Sequence, residues 1–166
     1  MIVKWSYCRN YLLTENFMFD FKKLCTEVEN LSKEERTLLT ISESKKVLLG
    51  LADFSFTAHN PVEALAAFII GAVASDGVID EKEYLLIFPS LVKAFGEDFD
   101  YESVKNIFKN KRATAELNDY TNALMQIITA KNEDLKTDIV TLCLLVVAID
   151  GKITPKERRY IRRLCK

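Results

Sequence analysis

Ala74-Ser-Asp-Gly-Val-Ile-Asp-Glu-Lys-Glu83 and Ala148-Ile-Asp-Gly-Lys-Ile-Thr-Pro-Lys-Glu157 align without a gap, 74 residues apart. Asp76 matches Asp150, Gly77 matches Gly151, Ile79 matches Ile153 and Glu83 matches Glu157. Each stretch follows an apolar run of eleven residues, 64–74 and 139–149. The glycine suits the left-handed residue that ends a helix, and the isoleucine two positions on plugs the corner. A capping residue with Glu three positions later, Asp80/Glu83 and Thr154/Glu157, then satisfies two orphan amides at the next helix start. The pattern is therefore a helix–turn–helix unit used twice, and it predicts two helix pairs packed about a pseudo-two-fold axis.

The same punctuation extends outward. Ser32/Glu35 and Asn60/Glu63 repeat the cap signature, and Pro61 and Pro155 follow their caps where a missing N–H costs nothing. Gly96 joins Gly77 and Gly151 just after an apolar-periodic segment. Helices are expected at about 19–30, 33–52, 61–75, 81–95, 101–110, 113–130, 134–149 and 155–165, with Pro89 kinking or splitting the fourth. The run from Ile139 to Ile149 is rich in β-branched residues, but no partner strand accompanies it. No segment alternates with period two. The fold class is all-α, a bundle of about seven to eight helices. Met18-Phe-Asp-Phe-Lys-Lys reads as a natural start, making 1–17 a loosely attached extension and 18–166 one domain.

Composition bounds the function. The 166 residues carry 23 Lys and Arg against 24 Asp and Glu, a net charge of −1, which excludes a globally basic nucleic-acid binder. Four cysteines, Cys8, Cys25, Cys143 and Cys165, lie too far apart in sequence for a zinc knuckle, and His59 is the single histidine. His59 precedes the Asn60 cap and reads as a loop residue. No export signal begins the sequence, and no apolar run approaches the ~20 residues a bilayer requires. The expected setting is the cytoplasm, with reduced thiols. No nucleophile elbow, phosphate loop, dinucleotide turn or zinc-protease helix occurs, so a non-enzyme is expected.

The doubled helix ending in Ala-x-Asp-Gly, followed by an apolar residue and a capped acidic helix start, resembles the TerB-like domain over about residues 60–166. That group includes the tellurite-resistance TerB proteins and the N-terminal region of the DjlA co-chaperones. The second copy departs in Ile149 before Asp150 and in Thr154-Pro155 after it. The resemblance implies a compact helical bundle with links to metal or oxyanion stress, and a binding or scaffold role. His-Pro-Asp, the mark of the J-domain that accompanies DjlA, does not occur.

Two chemistries attach to the repeat. Read as half an EF-hand loop, Asp76 to Glu83 would supply positions 5 to 12, but Ala72 and Ala74 would fill positions 1 and 3 without an oxygen. An EF-hand is excluded. The simplest role of the turns is architectural, ending one helix and starting the next. The sharper role is a divalent site, Ca²⁺ or Mg²⁺, formed as the repeat brings Asp76, Asp80 and Glu83 near Asp150 and Glu157. A protein partner reading the same acidic surface is the alternative, and a carboxylate–metal enzyme ranks third. On the last helix, Arg158, Arg159, Arg162, Arg163 and Lys166 form a basic stripe opposite Tyr160, Ile161 and Leu164. The stripe is expected to be solvated, or else to meet a protein partner, acidic lipid at the membrane periphery, or the acidic segment Glu97, Asp98, Asp100 and Glu102 of a neighbouring subunit. Without interleaved aromatics or glycines it is a poor nucleic-acid signature. The sequence sets no oligomeric state.

Overall fold

Every side chain from Ile139 to Ala148 is buried. A helix that is apolar all round is stable only when other helices surround it, and that accounts for the whole arrangement. The computed structural model of the chain describes residues 17–52, 60–77, 109–131 and 133–165. Within them lie six α-helices: α1 (Phe17–Glu29), α2 (Lys33–Ala52), α3 (Pro61–Val73), α4 (Lys111–Lys131), α5 (Glu133–Val147) and α6 (Pro155–Ile161). No strand occurs among the described residues, and no helix there is long and apolar enough to cross a membrane. The all-α class stands. The expected helices at 81–95 and 101–110, Pro89, Gly96 and the 1–16 segment lie outside the described residues.

The central α5 takes α2 on one side and α3 on another, with α1 and α6 also packed against it. Gly50 near the end of α2 abuts Leu135 near the start of α5, while Arg36 near the start of α2 approaches Gly151 beyond the end of α5. The two helices are therefore antiparallel. Helix α3 is sandwiched between α5 and α4. Its small residues Ala64, Ala67 and Ala72 are fully buried and let both neighbours approach closely. At Gly71 an added Cβ would collide with the Tyr160 hydroxyl of α6, so glycine is needed there for packing. Tyr160 also lies 5.0 Å from the Phe68 ring. Two buried threonines are satisfied within their own helices: Thr121 and Thr40 hydroxyls donate to the carbonyls of Leu117 and Arg36 at 2.7 and 2.8 Å.

Two helices close in tighter turns than expected, while the other four keep to the expected spans within two residues. The segment after Val73 tightens into a 3₁₀ turn, Ala74–Asp76, and the segment after Ile161 into another, Arg162–Cys165. Helix ends often close this way because i→i−3 bonds satisfy carbonyls that have no α-helical partner.

Candidate functional site at the two Asp-Gly turns

The two turns share one backbone solution. Gly77 has φ 79 and its N–H donates to the Ala74 carbonyl at 3.1 Å; Gly151 has φ 97 and its N–H donates to the Ala148 carbonyl at 2.8 Å. These are the only residues with positive φ among those described. In the second turn the Asp150 Oδ1 accepts the Lys152 N–H at 2.9 Å, so this aspartate shapes its own loop. Ile153 is buried as the corner plug. Thr154 then caps α6: its hydroxyl accepts the Glu157 N–H at 3.3 Å, and the Glu157 Oε2 accepts the Thr154 N–H at 2.6 Å. The capping box read from the sequence is present. The equivalent start after the first turn, with Ile79, Asp80 and Glu83, lies outside the described residues, so the match between copies extends through the glycine.

The turns also meet. Lys156 Nζ donates to the Asp76 carbonyl at 3.4 Å, joining the start of α6 to the first turn. Glu157 is buried, and burial is the main reason its carboxyl is pushed up to about 7. The two Thr154 bonds pull against that rise, and the negative charges of Asp76 and Asp150 add to it. Two of the five carboxylates expected at the site, Asp76 and Asp150, thus bear on a third, Glu157.

Their chemistry suits a hard cation, since every donor is oxygen. Sequence reading passed over Ser75, next to Asp76 in the chain, whose Oγ is buried without a hydrogen-bond partner. A lone serine in a helix-ending turn carries no pattern that would have marked it. Among the described residues, however, no three acidic, histidine or cysteine side chains are gathered closely enough to be a complete metal shell. Asp76, Asp150 and Glu157 do not make such a shell by themselves, and Asp80 and Glu83 lie outside the described residues.

Arg158 and Glu29, which sequence reading did not connect, hold the second turn in place, and Arg36 packs beside it. Arg158 Nη2 donates to both carboxylate oxygens of Glu29, at 2.8 and 2.7 Å, and its Nε donates to the Ile153 carbonyl at 3.2 Å. The Glu29 Oε1 also accepts the Ile153 N–H at 2.9 Å. Arg36, buried at the start of α2, donates from Nη1 to the Leu31 carbonyl at 2.6 Å. Its Nη2 would lie 3.4 Å from a Cβ at Gly151. The turn is clamped between α1, α2 and α6.

This clamp divides the basic stripe. Arg158 is half-buried on Glu29, and Arg163 lies 5.0 Å over the Tyr160 ring while bonding Asn118 at 3.2 Å. Arg159 and Arg162 are exposed, and Lys166 lies outside the described residues. A uniformly solvated face is not what forms, because Arg158 is engaged with Glu29 and Arg163 with the Tyr160 ring and the surface residue Asn118. His59 and Cys8 also fall outside the described residues. Cys25 and Cys143 are buried and Cys165 is half-buried, all as free thiols. Burial pushes the Cys25 thiol up to about 11 and that of Cys165 to about 12, and raises Cys143 as well. Such thiols are poor nucleophiles at neutral pH.

Comparison with curated proteins and with solved structures finds no match. The family model described as tellurite resistance protein TerB matches residues 62–166, which takes in α3 to α6, both Asp-Gly turns and the capping box of Thr154 and Glu157. That span is well over half of the sequence, and the chain belongs to the TerB family.

Proposed function

We propose that the protein is a non-enzymatic binding and scaffold module of the cytosol that takes a divalent cation, Ca²⁺ or Mg²⁺, between its two Asp-Gly turns. One observation carries the reading: Lys156 of α6 bonds the Asp76 carbonyl of the first turn, while the buried Glu157 one residue on is fixed by the α6 cap beside the second, and the charges of Asp76 and Asp150 add to burial in raising its carboxyl. Like charges gathered in this way are relieved by a bound cation, and they are costly without one. Asp76, Asp150 and Glu157 would be ligands, with Asp80 and Glu83 completing the shell. The raised thiols of Cys25 and Cys165, poor nucleophiles at neutral pH, fit a module that binds.

Calorimetric titration of Ca²⁺ and Mg²⁺ into the full chain tests the reading. The informative variant carries Asp76→Asn and Asp150→Asn together. Asn keeps an Oδ1 to accept the Lys152 N–H, so the turn survives while the charge is removed. Saturable heat in the parent and none in the folded variant supports the cation site. No heat in either protein favours the second reading, a protein-interaction module whose aspartates only shape corners. The bonds already made by Asp150 Oδ1 and Glu157 Oε2 favour that alternative.

A further inference from the structure

The buried face of helix α2 carries Arg36, Thr40 and Glu43 and then Val47 and Leu51, which enter the core. On the other face, Leu38, Ile41, Leu48 and Leu49 are 68, 52, 46 and 74% exposed. At 100° per residue these four side chains, together with Glu34, Lys45 and Ala52, fall within an arc of about 100° directly opposite the core face. Four large apolar groups on one exposed stripe form a patch of the kind that marks an interaction site. The order along the stripe is Glu34, Leu38, Ile41, Lys45, Leu48, Ala52, alternating by three and four residues as the seam of a two-helix contact does.

We propose that this face of α2 is an interface with a second copy of the chain, the two helices crossing antiparallel about a two-fold axis between residues 39 and 40. In that register Leu38 of one copy faces Ile41 of the other, and Glu34 faces Lys45, each pairing occurring twice. Leu48 and Leu49 then reach past the start of the opposing helix. Charge complementarity selects the second copy as occupant. The stripe carries one acid and one base at unlike ends of its apolar centre, and two-fold antiparallel pairing sets each opposite its complement. Neither Glu34 nor Lys45 has an ion-pair partner among the described residues. The nearby Lys46 is engaged with Glu43 of its own helix. Paired faces of this size bury on the order of 1,000 Å², the low end for a specific contact, so micromolar association is expected.

Analytical ultracentrifugation of the full chain across a concentration series tests the proposal. Mass should rise from 19.0 kDa towards twice that value. Ile41→Asp should weaken association at least 100-fold. Glu34→Lys and Lys45→Glu should each weaken it about tenfold, and the double exchange should restore it. Both sites are on the solvent side of α2, so the charge exchange reads the interface even if Ile41→Asp disturbs folding. A monomer at every concentration up to about 1 mM overturns the proposal. A dimer that ignores Ile41→Asp, or single exchanges that the double exchange does not rescue, overturns it equally.

Discussion

Two glycines and one glutamate carry much of the local logic. Gly77 and Gly151 both occupy the left-handed region, where a Cβ meets the following carbonyl and costs roughly 1–2 kcal/mol. Around Gly77 a Cβ would meet nothing within 4 Å, whereas at Gly151 it would press on Arg36. Chemical denaturation should therefore show Gly77→Ala costing about 1 kcal/mol and Gly151→Ala more. Equal losses would mean that Arg36 gives way freely. Glu157 makes a pH-dependent contribution. Its proton is held more tightly in the folded chain than at the ordinary 4.5 of the unfolded one, so the stability it confers is complete below about pH 4.5. That contribution is lost as the pH rises through about 7. The loss amounts to about 2–3 kcal/mol. Glu157→Gln, which still accepts the Thr154 N–H, should flatten the stability profile between those values, and an unchanged slope would assign the effect to other groups.

At the scale of elements, the second turn depends on residues far from it in sequence. Glu29 of α1 joins the Ile153 amide to the Arg158 guanidinium, tying three segments through one carboxylate. Glu29→Ala leaves a part-buried cation and an amide without their acceptor, and should cost about 2–3 kcal/mol. Arg158→Lys should cost less but still be measurable, because an ammonium cannot reproduce the fork. A Glu29→Ala protein as stable as the parent would show the clamp to be incidental. This clamp also marks what the sequence could and could not disclose. Caps at Ser32, Asn60 and Thr154 and the turns at Gly77 and Gly151 rest on local chemistry, and each is legible in a few neighbouring letters. The spans of α2 and α5 follow from the same marks. Glu29 and Arg36 meet the second turn across more than a hundred residues, and no local pattern announces such a pairing. The 3₁₀ closures escaped for another reason, since hydrophobic periodicity hardly differs between the last turn of an α-helix and a tighter one. The basic stripe was legible as a stripe, but not in its division, which depends on Glu29 and Asn118 arriving from elsewhere in the fold.

For the whole molecule, the buried run from Ile139 to Val147 in α5 explains why the other five helices pack against it, and that gathering brings the ends of α3 and α5 to the start of α6. The family match covers this half of the fold, while α1 and α2 precede it and supply the Glu29 and Arg36 contacts. The central claim is that the convergence makes a cation site out of two turns. Thermal unfolding of the full chain at about pH 7.5 tests it most directly, with millimolar Ca²⁺, Mg²⁺ or Mn²⁺ and an EDTA control. A ligand that binds only the folded state raises stability by RT ln(1 + [L]/Kd). The prediction is a saturable rise in Tm for a hard cation, reversed by EDTA and absent from the chain with Asp76→Asn and Asp150→Asn. A melting temperature indifferent to every cation, or a rise that survives the loss of both aspartates, would contradict it.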